Sequence, residues 1–351
     1  MRIGATLDEA LSAEVAARPS PHMALLRRTL LGLAEAGGAL SWRVAEPPLD
    51  GRLGAYAGGV NSDGDAQRKL DLIAETLFCD ALRDAPVAAY LSEETEGATH
   101  LNETAPLAAA IDPLDGSSGI DVNAPIGALF SILPMTEAAR GDPAQAFRQT
   151  GRAQLAAGIF VFSAQTSLML SLGRGVQLYV YDRGARTFRL VEPCVRIPED
   201  YPEFAINGSN QLNWPDPVRG YIEDCLSGVD GPRGRHYNMR WMGSLVAEAY
   251  RILQRGGIYL YPADTRPGFE RGRLRLIYEA NPVAFLCEQA GGAATDGLGP
   301  ILDIVPETLH ERVPLVFGSA EKVALVGRYH QDMARPSPDS PLFGRRGLMR
   351  R

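Results

Sequence analysis

An apolar run, Pro106-Leu107-Ala108-Ala109-Ala110-Ile111, passes without a break into Asp112-Pro113-Leu114-Asp115-Gly116-Ser117-Ser118. A run this short and this apolar reads as a buried strand. A buried strand needs covering layers, so the fold must be layered around it. Two carboxylates three residues apart then stand where the strand ends. Pro113 stiffens the link between them, and Gly116 permits a tight turn. Ser117 and Ser118 offer hydroxyls and backbone N–H groups at a possible helix start, a natural cradle for phosphate. Hard cations such as Mg²⁺ take oxygen ligands, and two carboxylates with a backbone carbonyl can hold them. The plainer alternative is an Asx-rich turn with a helix cap. The apolar strand before the acids and the two serines after them weigh against it.

Two further acidic positions follow apolar runs. Glu93 and Glu94 come just after Pro86–Leu91, although adjacent glutamates are more often a solvated face. Glu279 follows Leu276-Ile277-Tyr278 directly before a helix start and is weak evidence alone. Together the three sites supply four or five carboxylates at the ends of apolar segments. A phosphoryl-transfer site with two or three metal ions needs that many: the acids gather metals, which activate water and clamp the attacking and leaving oxygens.

With 351 residues, 45% of them hydrophobic and 22% charged, the chain can bury a large core in one large or two medium domains. A net charge of −7 points away from nucleic acid and anionic membranes as partners. An acidic protein that binds an anionic substrate needs local help from metals or placed arginines. The N-terminus carries acids and no apolar signal core, and the apolar stretches 155–164 and 167–172 fall short of a bilayer span. Cys79, Cys194, Cys225 and Cys287 are widely spaced and read as buried free thiols, which suits a reducing cytoplasm.

Periodicity predicts a helix over 23–36 that stops at Gly37-Gly38, a loop over 45–65 and a helix over about 65–83. Short strands between turn residues over about 155–191 predict an antiparallel meander. A second half begins near Pro193. It holds a helix after Gly243-Ser244 that ends at Gly256-Gly257, a strand at 258–264, and a helix 282–290 capped by Asn281 with Pro282 in its first turn. Mixed helices and strands make the class α/β or α+β with layered sheets.

The segments Leu91–Glu94, Ile111–Asp121, Gly257–Asp264 and Leu274–Gly292, in this order and spacing, resemble class I fructose-1,6-bisphosphatases. Residues 58–71 are similar to that family's mobile catalytic loop, and the similarity covers roughly 25–333. The shorter Asp-Pro-x-Asp-Gly pattern with an upstream Glu also occurs in inositol phosphatases. The resemblance implies a sugar-phosphatase fold with two subdomains: 1–192 with the metal site and mobile loop 51–71, and 193–334 for the sugar phosphate. The tail over 335–351 carries Pro, Ser and Arg without periodicity and reads as mobile. It implies two or three Mg²⁺ ions, or Mn²⁺ in their place, on Glu93, Asp112, Asp115, Glu279 and the carbonyl of Leu114. Glu94 and Asp71 would activate water, with Asp65 delivered by the loop. Asp115, Gly116, Ser117, Ser118 and Glu279 would hold the 1-phosphate and sugar. Asn207, Tyr261 and Arg240 would hold the 6-phosphate, Arg240 reaching a neighbouring subunit's site in a homotetramer. Arg273 and Arg275 would lie beside the sugar. The implied reaction is hydrolysis of fructose 1,6-bisphosphate, as used in gluconeogenesis and in carbon fixation.

Departures from the family pattern concern affinity and regulation. Asn207-Gly208-Ser209-Asn210 and Arg240-Trp241-Met242 replace more usual versions, and Arg273 stands where lysine is usual. In relatives inhibited by AMP, a Gly-Thr-Gly-Glu turn joins two N-terminal helices. Here the comparable stretch is Ala17-Arg18-Pro19-Ser20-Pro21-His22, and Pro106 and Pro134 replace a lysine and an arginine. Three alternatives stay open: a bisphosphatase that also takes sedoheptulose 1,7-bisphosphate, an inositol monophosphatase-like enzyme, and a non-catalytic sugar-phosphate sensor.

Overall fold

A computed structural model describes residues 2–46, 54–60 and 66–334. Helix α1 (Leu7–Ala17) starts at a reciprocal cap: the Glu9 N–H donates to the Thr6 hydroxyl and the Thr6 N–H to the Glu9 carboxylate. Helix α2 (Pro21–Ala45) starts at Ser20, whose hydroxyl accepts from the Met23 N–H, with Pro21 in the first helical position. The expected stop at Gly37-Gly38 is not there; α2 runs on for about two more turns. Both glycines face the sheet. A Cβ on Gly37 would sit 2.7 Å from the Phe160 ring, and one on Gly38 would sit 2.8 Å from Tyr181. They are notches that let the helix close onto the strands.

The expected loop over 45–65 contains strand β1 (Tyr56–Val60), which pairs antiparallel with β2 (Ala66–Arg68). Helix α3 (Lys69–Arg83) therefore starts later than predicted, with Leu70 and Phe78 buried. Residues 47–53 and 61–65, and the tail 335–351, lie outside the described residues.

The main sheet takes β3 (Val87–Ser92), β4 (Thr99–His100), β5 (Leu107–Asp115), β6 (Ile126–Pro134), β7 (Ala156–Phe162), β8 (Thr166–Ser171), β9 (Val176–Asp182) and β10 (Thr187–Val195). Its order is β10-β9-β8-β7-β6-β5-β3-β4, and the predicted meander is present as β7 to β10. Only β3 and β5 pair in parallel. A second sheet follows β11 (Glu203–Ala205), helix α4 (Asp216–Leu226), β12 (Asn238–Met239), helix α5 (Leu245–Arg255) and β13 (Ile258–Tyr261). The chain continues through β14 (Leu274–Arg275), helix α6 (Asn281–Gln289), β15 (Ala293–Thr295), β16 (Arg312–Val313), β17 (Leu315–Gly318) and helix α7 (Ala320–Ala334). The second sheet has the order β12-β11-β13-β17-β15.

Strand alternation sorts the core into layers. Ala156, Phe160 and Phe162 of β7 pack towards α1, α2 and α3, while Ala157, Ile159 and Val161 pack towards α5 and α6. Ala205, Tyr259 and Phe317 close that second core from the other sheet. Phe204, Ile258 and Leu260 face away, against α4 and α7. The result is helices, sheet, helices, sheet, helices.

Asn281 does not cap α6. It is itself helical, at φ −63° and ψ −50°, because a π-helical turn, Leu276–Ala280, runs straight into α6. Pro282 has no N–H for the carbonyl four residues back, and the wider turn accommodates that loss. Of the cysteines, Cys225 and Cys287 are buried, Cys79 is half-buried and Cys194 is exposed, so burial holds for two; all four are free. No helix among the described residues is long and apolar enough to cross a membrane.

The notch makes a prediction opposite in sign to helix propensity. Gly→Ala inside a helix normally stabilises by about 1 kcal/mol. Gly37→Ala is expected to destabilise by about 1–3 kcal/mol, because Phe160 is fully buried and cannot yield. Gly32→Ala meets nothing closer than the Ala81 carbonyl at 3.4 Å and should be tolerated. Thermal melts of both variants decide the matter; equal melting temperatures would remove the notch.

Candidate active site

The parallel pairing of β3 and β5 brings their C-terminal ends to the same edge. Ser92 lies opposite Ile111, and the Glu93 N–H extends the ladder by donating to the Ile111 carbonyl at 3.2 Å. On the other side of β5, Asp112 lies opposite Leu129 but Asp115 opposite Gly127, so β5 carries one extra residue there. The bulge falls at Pro113-Leu114, where proline has no N–H to give the ladder. The Leu114 N–H instead donates to Asp112 Oδ1 at 3.0 Å. Gly116 then ends the strand at φ +80°, the left-handed region, and a Cβ there would also press on Ser244. Ser117, half-buried, and Ser118, exposed, open the short 3₁₀ turn that follows.

These distortions converge on one cluster. Carboxylate oxygens of Asp112, Asp115 and Glu279 lie within 4.8 Å of one another, and Glu93 shares a hydrogen bond with Asp112. Each acid has its own tether. Asp115 Oδ2 accepts from Ser244 Oγ at 3.1 Å and from the Val246 N–H at 2.9 Å, at the start of α5. Glu279, on the π turn, accepts from the Arg275 N–H. Burial pushes the Glu93 and Asp112 carboxyls well above the usual range, and the neighbouring acids push them further. Glu279 is pushed up to about 7, again by burial first. Asp115 is raised by burial against the opposing pull of Val246 and Ser244.

This arrangement suits a hard cation. Oxygens that share an octahedral Mg²⁺ lie about 3–4 Å apart, close to what the cluster already shows. The donor set is all oxygen, and its crowding is relieved by positive charge.

Around the cluster, the Glu94 N–H donates to Ser92 Oγ at 3.2 Å. Asp71 is buried near the start of α3; its Oδ2 accepts from the Arg68 N–H at 2.7 Å, while Oδ1 is buried with no hydrogen-bond partner among the described residues. Burial raises the Asp71 carboxyl. Arg68 reaches the Gly54 carbonyl at 3.0 Å and Asp121 at 3.4 Å, which ties the β1–β2 hairpin to the turn after the acids. Asp65 lies outside the described residues.

A second group forms at the C-terminal end of β13. Asn207 and Tyr261 line one small cleft, together with Asn210 and Trp214. Trp241 stacks on Tyr259 at 5.7 Å and leans on Tyr261 at 5.9 Å. Arg240 is 56% exposed, with Nε on Glu203 Oε1 at 3.2 Å. Arg273 is exposed over the Phe269 ring. Arg275 is 1% exposed, and its backbone N–H holds Glu279. A separate groove of about 650 Å³ between α2 and the β9–β10 hairpin, lined by Trp42 and Tyr181, includes none of these residues.

Family models for the fructose-1,6-bisphosphatase N-terminal and C-terminal domains match residues 23–193 and 197–331. The chain belongs to the fructose-1,6-bisphosphatase family. Class 1 fructose-1,6-bisphosphatase of Sinorhizobium medicae is 51% identical over 323 residues, covering 89% of this chain and 93% of that one. The Rhizobium meliloti counterpart is 49% identical, covering 99% of each. Among solved structures, the holo form of Leishmania major fructose-1,6-bisphosphatase superposes with a TM-score of 0.86 at 28% identity, covering 94% of this chain and 100% of that one. The apo form gives 0.81 at 26% identity, covering 93% and 99%. The family is metal-dependent, and its members are phosphatases. Sequence reasoning missed Ser244 as a holder of Asp115, since it reads as an ordinary helix cap. It also missed Glu203, a lone acid with no local signal.

The buried acids give a pH dependence. Glu279 titrates near 7 in the fold against an ordinary 4.5, so between these values the folded state keeps a proton that the unfolded chain has released. Metal-free stability from this group therefore falls as pH rises through that window. In a chelator, the melting temperature should drop between about pH 5 and pH 8, and added Mg²⁺ should restore more at the higher pH. Glu279→Gln should weaken the drop and lose the Mg²⁺ gain. A Mg²⁺ gain that is equal at both pH values would contradict this account.

Proposed function

We infer that the chain hydrolyses the 1-phosphate of D-fructose 1,6-bisphosphate to fructose 6-phosphate and phosphate. The observation that carries this reading is the pairing of two anion-handling groups, the acid cluster at the ends of β3 and β5 and the Asn207, Tyr261 and Arg240 group. A monophosphatase needs only the first.

We assign Glu93, Asp112, Asp115, Glu279 and the Leu114 carbonyl as holders of two or three Mg²⁺ ions, with Mn²⁺ able to substitute. Bound divalent cations supply charge neutralisation at the phosphoryl group and a more acidic water. The protein's own groups do the rest. Glu94 and Asp71 orient the attacking water and take its proton; the raised carboxyl of Asp71 makes it the better proton acceptor. Asp65, which lies outside the described residues, is assigned with them on the family resemblance alone. Ser117, Ser118 and the backbone at Gly116 hold the 1-phosphate in line while the bond between phosphorus and O1 breaks and O1 leaves to be protonated. Asn207, Tyr261 and Arg240 grip the 6-phosphate, and Arg273 stands nearby. The outward exposure of Arg240 supports its sharing across subunits of a homotetramer. The family-model boundary between 193 and 197 supports a division into a metal-holding unit, 1–192, and a sugar-phosphate unit, 193–334. Four free cysteines fit a cytoplasmic location.

Phosphate release should need Mg²⁺ or Mn²⁺, and turnover that persists in EDTA would sink the metal assignment. Arg240→Ala should raise KM about 10- to 100-fold, as expected for losing a charge-assisted contact. Equal rates on inositol 1-phosphate would overturn the substrate.

AMP should not inhibit. Pro21 sits in the first helical position and Ser20 spends its hydroxyl on the α2 cap, while Arg18 is engaged by Glu14 and the Leu172 carbonyl. Pro106 and Pro134 flank the paired β5 and β6 without charge or donor. Losing two charge-assisted contacts costs about a hundredfold or more in affinity. Half-inhibition at about ten to a hundred micromolar AMP in a rate titration would show that the turn has been misassigned.

A further inference from the structure

A buried anion beside an anion-binding arginine looks misplaced. Glu203, at the start of β11, is 1% exposed, yet its Oε1 accepts from Arg240 Nε at 3.2 Å. Its Oε2 accepts from Arg251 Nη1 at 2.9 Å. Arg251 in turn donates to Glu248, which is fully buried, through Nε at 3.1 Å and Nη2 at 2.9 Å. Glu248 also accepts the Met242 N–H at 2.7 Å. The chain of contacts therefore leaves Arg240, passes under the surface through α5, and returns to the same loop two residues later. That loop ends at Ser244, which holds Asp115. The backbone is pinned to the same strand, because the Arg240 N–H donates to the Phe204 carbonyl at 2.9 Å.

We propose that Glu203 is a positioning residue that presets Arg240 for the 6-phosphate, with Arg251 and Glu248 as its support. This rests on the reading of Arg240 given above. Arginine is long and rotamer-rich, and a guanidinium grips phosphate with its planar fork only when it is oriented. The Glu203 contact uses Nε and leaves both Nη groups for the ligand. Burial of Glu203 is what makes the grip firm, since the carboxylate cannot swing into water. Arg255 lies 3.6 Å from Glu203 Oε1, so the acid is also outnumbered by cations and does not cancel the positive face.

Two physical roles predict opposite signs. If Glu203 acted only through its charge, neutralising it would strengthen phosphate binding and lower KM. If it positions Arg240, neutralising it loosens the fork and raises KM. Glu203→Gln is expected to raise KM for fructose 1,6-bisphosphate about tenfold with kcat within about twofold. The kcat/KM ratio of bisphosphate to fructose 1-phosphate should fall with it, because the second substrate has no 6-phosphate to lose. Combined with Arg240→Ala, Glu203→Gln should add nothing further to KM. Glu203→Asp keeps the charge for Arg251 but withdraws the carboxylate by one methylene. It should shift KM the same way, and it serves if the Gln variant does not fold. An unchanged or lowered KM in the folded variants, alongside a raised KM in Arg240→Ala, overturns the proposal. An unchanged KM in Arg240→Ala itself would instead remove the reading of Arg240.

Discussion

Four carboxyl groups held together under burial are the constraint around which the rest of the molecule is arranged. Ionised carboxylates repel in a desolvated space, and the one hydrogen bond that Glu93 shares with Asp112 does not hold all four together. Each is therefore fixed by backbone that has no freedom to withdraw. Glu93 continues a parallel ladder, Asp112 is in the middle of a central strand, Asp115 follows a bulge, and Glu279 rides a π turn. Two of these four devices are departures from regular structure. The strain sits where the acids must be re-aimed, and the surrounding sheet supplies the rigidity.

The most regular parts of the fold were the most legible. The meander of β7 to β10, helix α5 and the strand after it follow from short strands set between turn residues, a serine cap and a glycine at positive φ at the end of α5. The acid cluster was legible because carboxylates at the ends of apolar runs conflict with burial unless they act together. What stayed hidden was long-range. Gly37-Gly38 carries a terminator's signal, and only the presence of Phe160 and Tyr181 on the facing sheet converts it into a packing notch. Arg275 stands in a run of alternating arginines, and only the fold shows that it is buried while Arg271 and Arg273 are exposed. Glu203 is silent in sequence, because its three arginine partners come from 37 to 52 residues away along the chain.

The N-terminal helices show the same limit for a different reason. Arg18, Arg27 and Arg28 look like loose cations near a helix junction. In the fold each is already engaged: Arg18 with Glu14, Arg27 with Asp8, and Arg28 with the Asp84 carbonyl. A cation that closes a helix pair is poorly placed to bind a mobile phosphate as well. The prolines at 19 and 21 shape the junction, and the arginines staple it, so this end of the molecule is built for packing α1 and α2 against the sheet.

The acid cluster is also where the two matched halves of the chain meet. Glu93, Asp112 and Asp115 come from the segment matched by the N-terminal family model, and Glu279 from the C-terminal one. Asp115 is held by Ser244 and Val246, which again belong to the second segment. Neither segment alone contains all four acids. The same loop that carries Arg240 ends at Ser244, so Arg240 and the tether on Asp115 are parts of one short stretch of backbone. A shift of α5 would move both together.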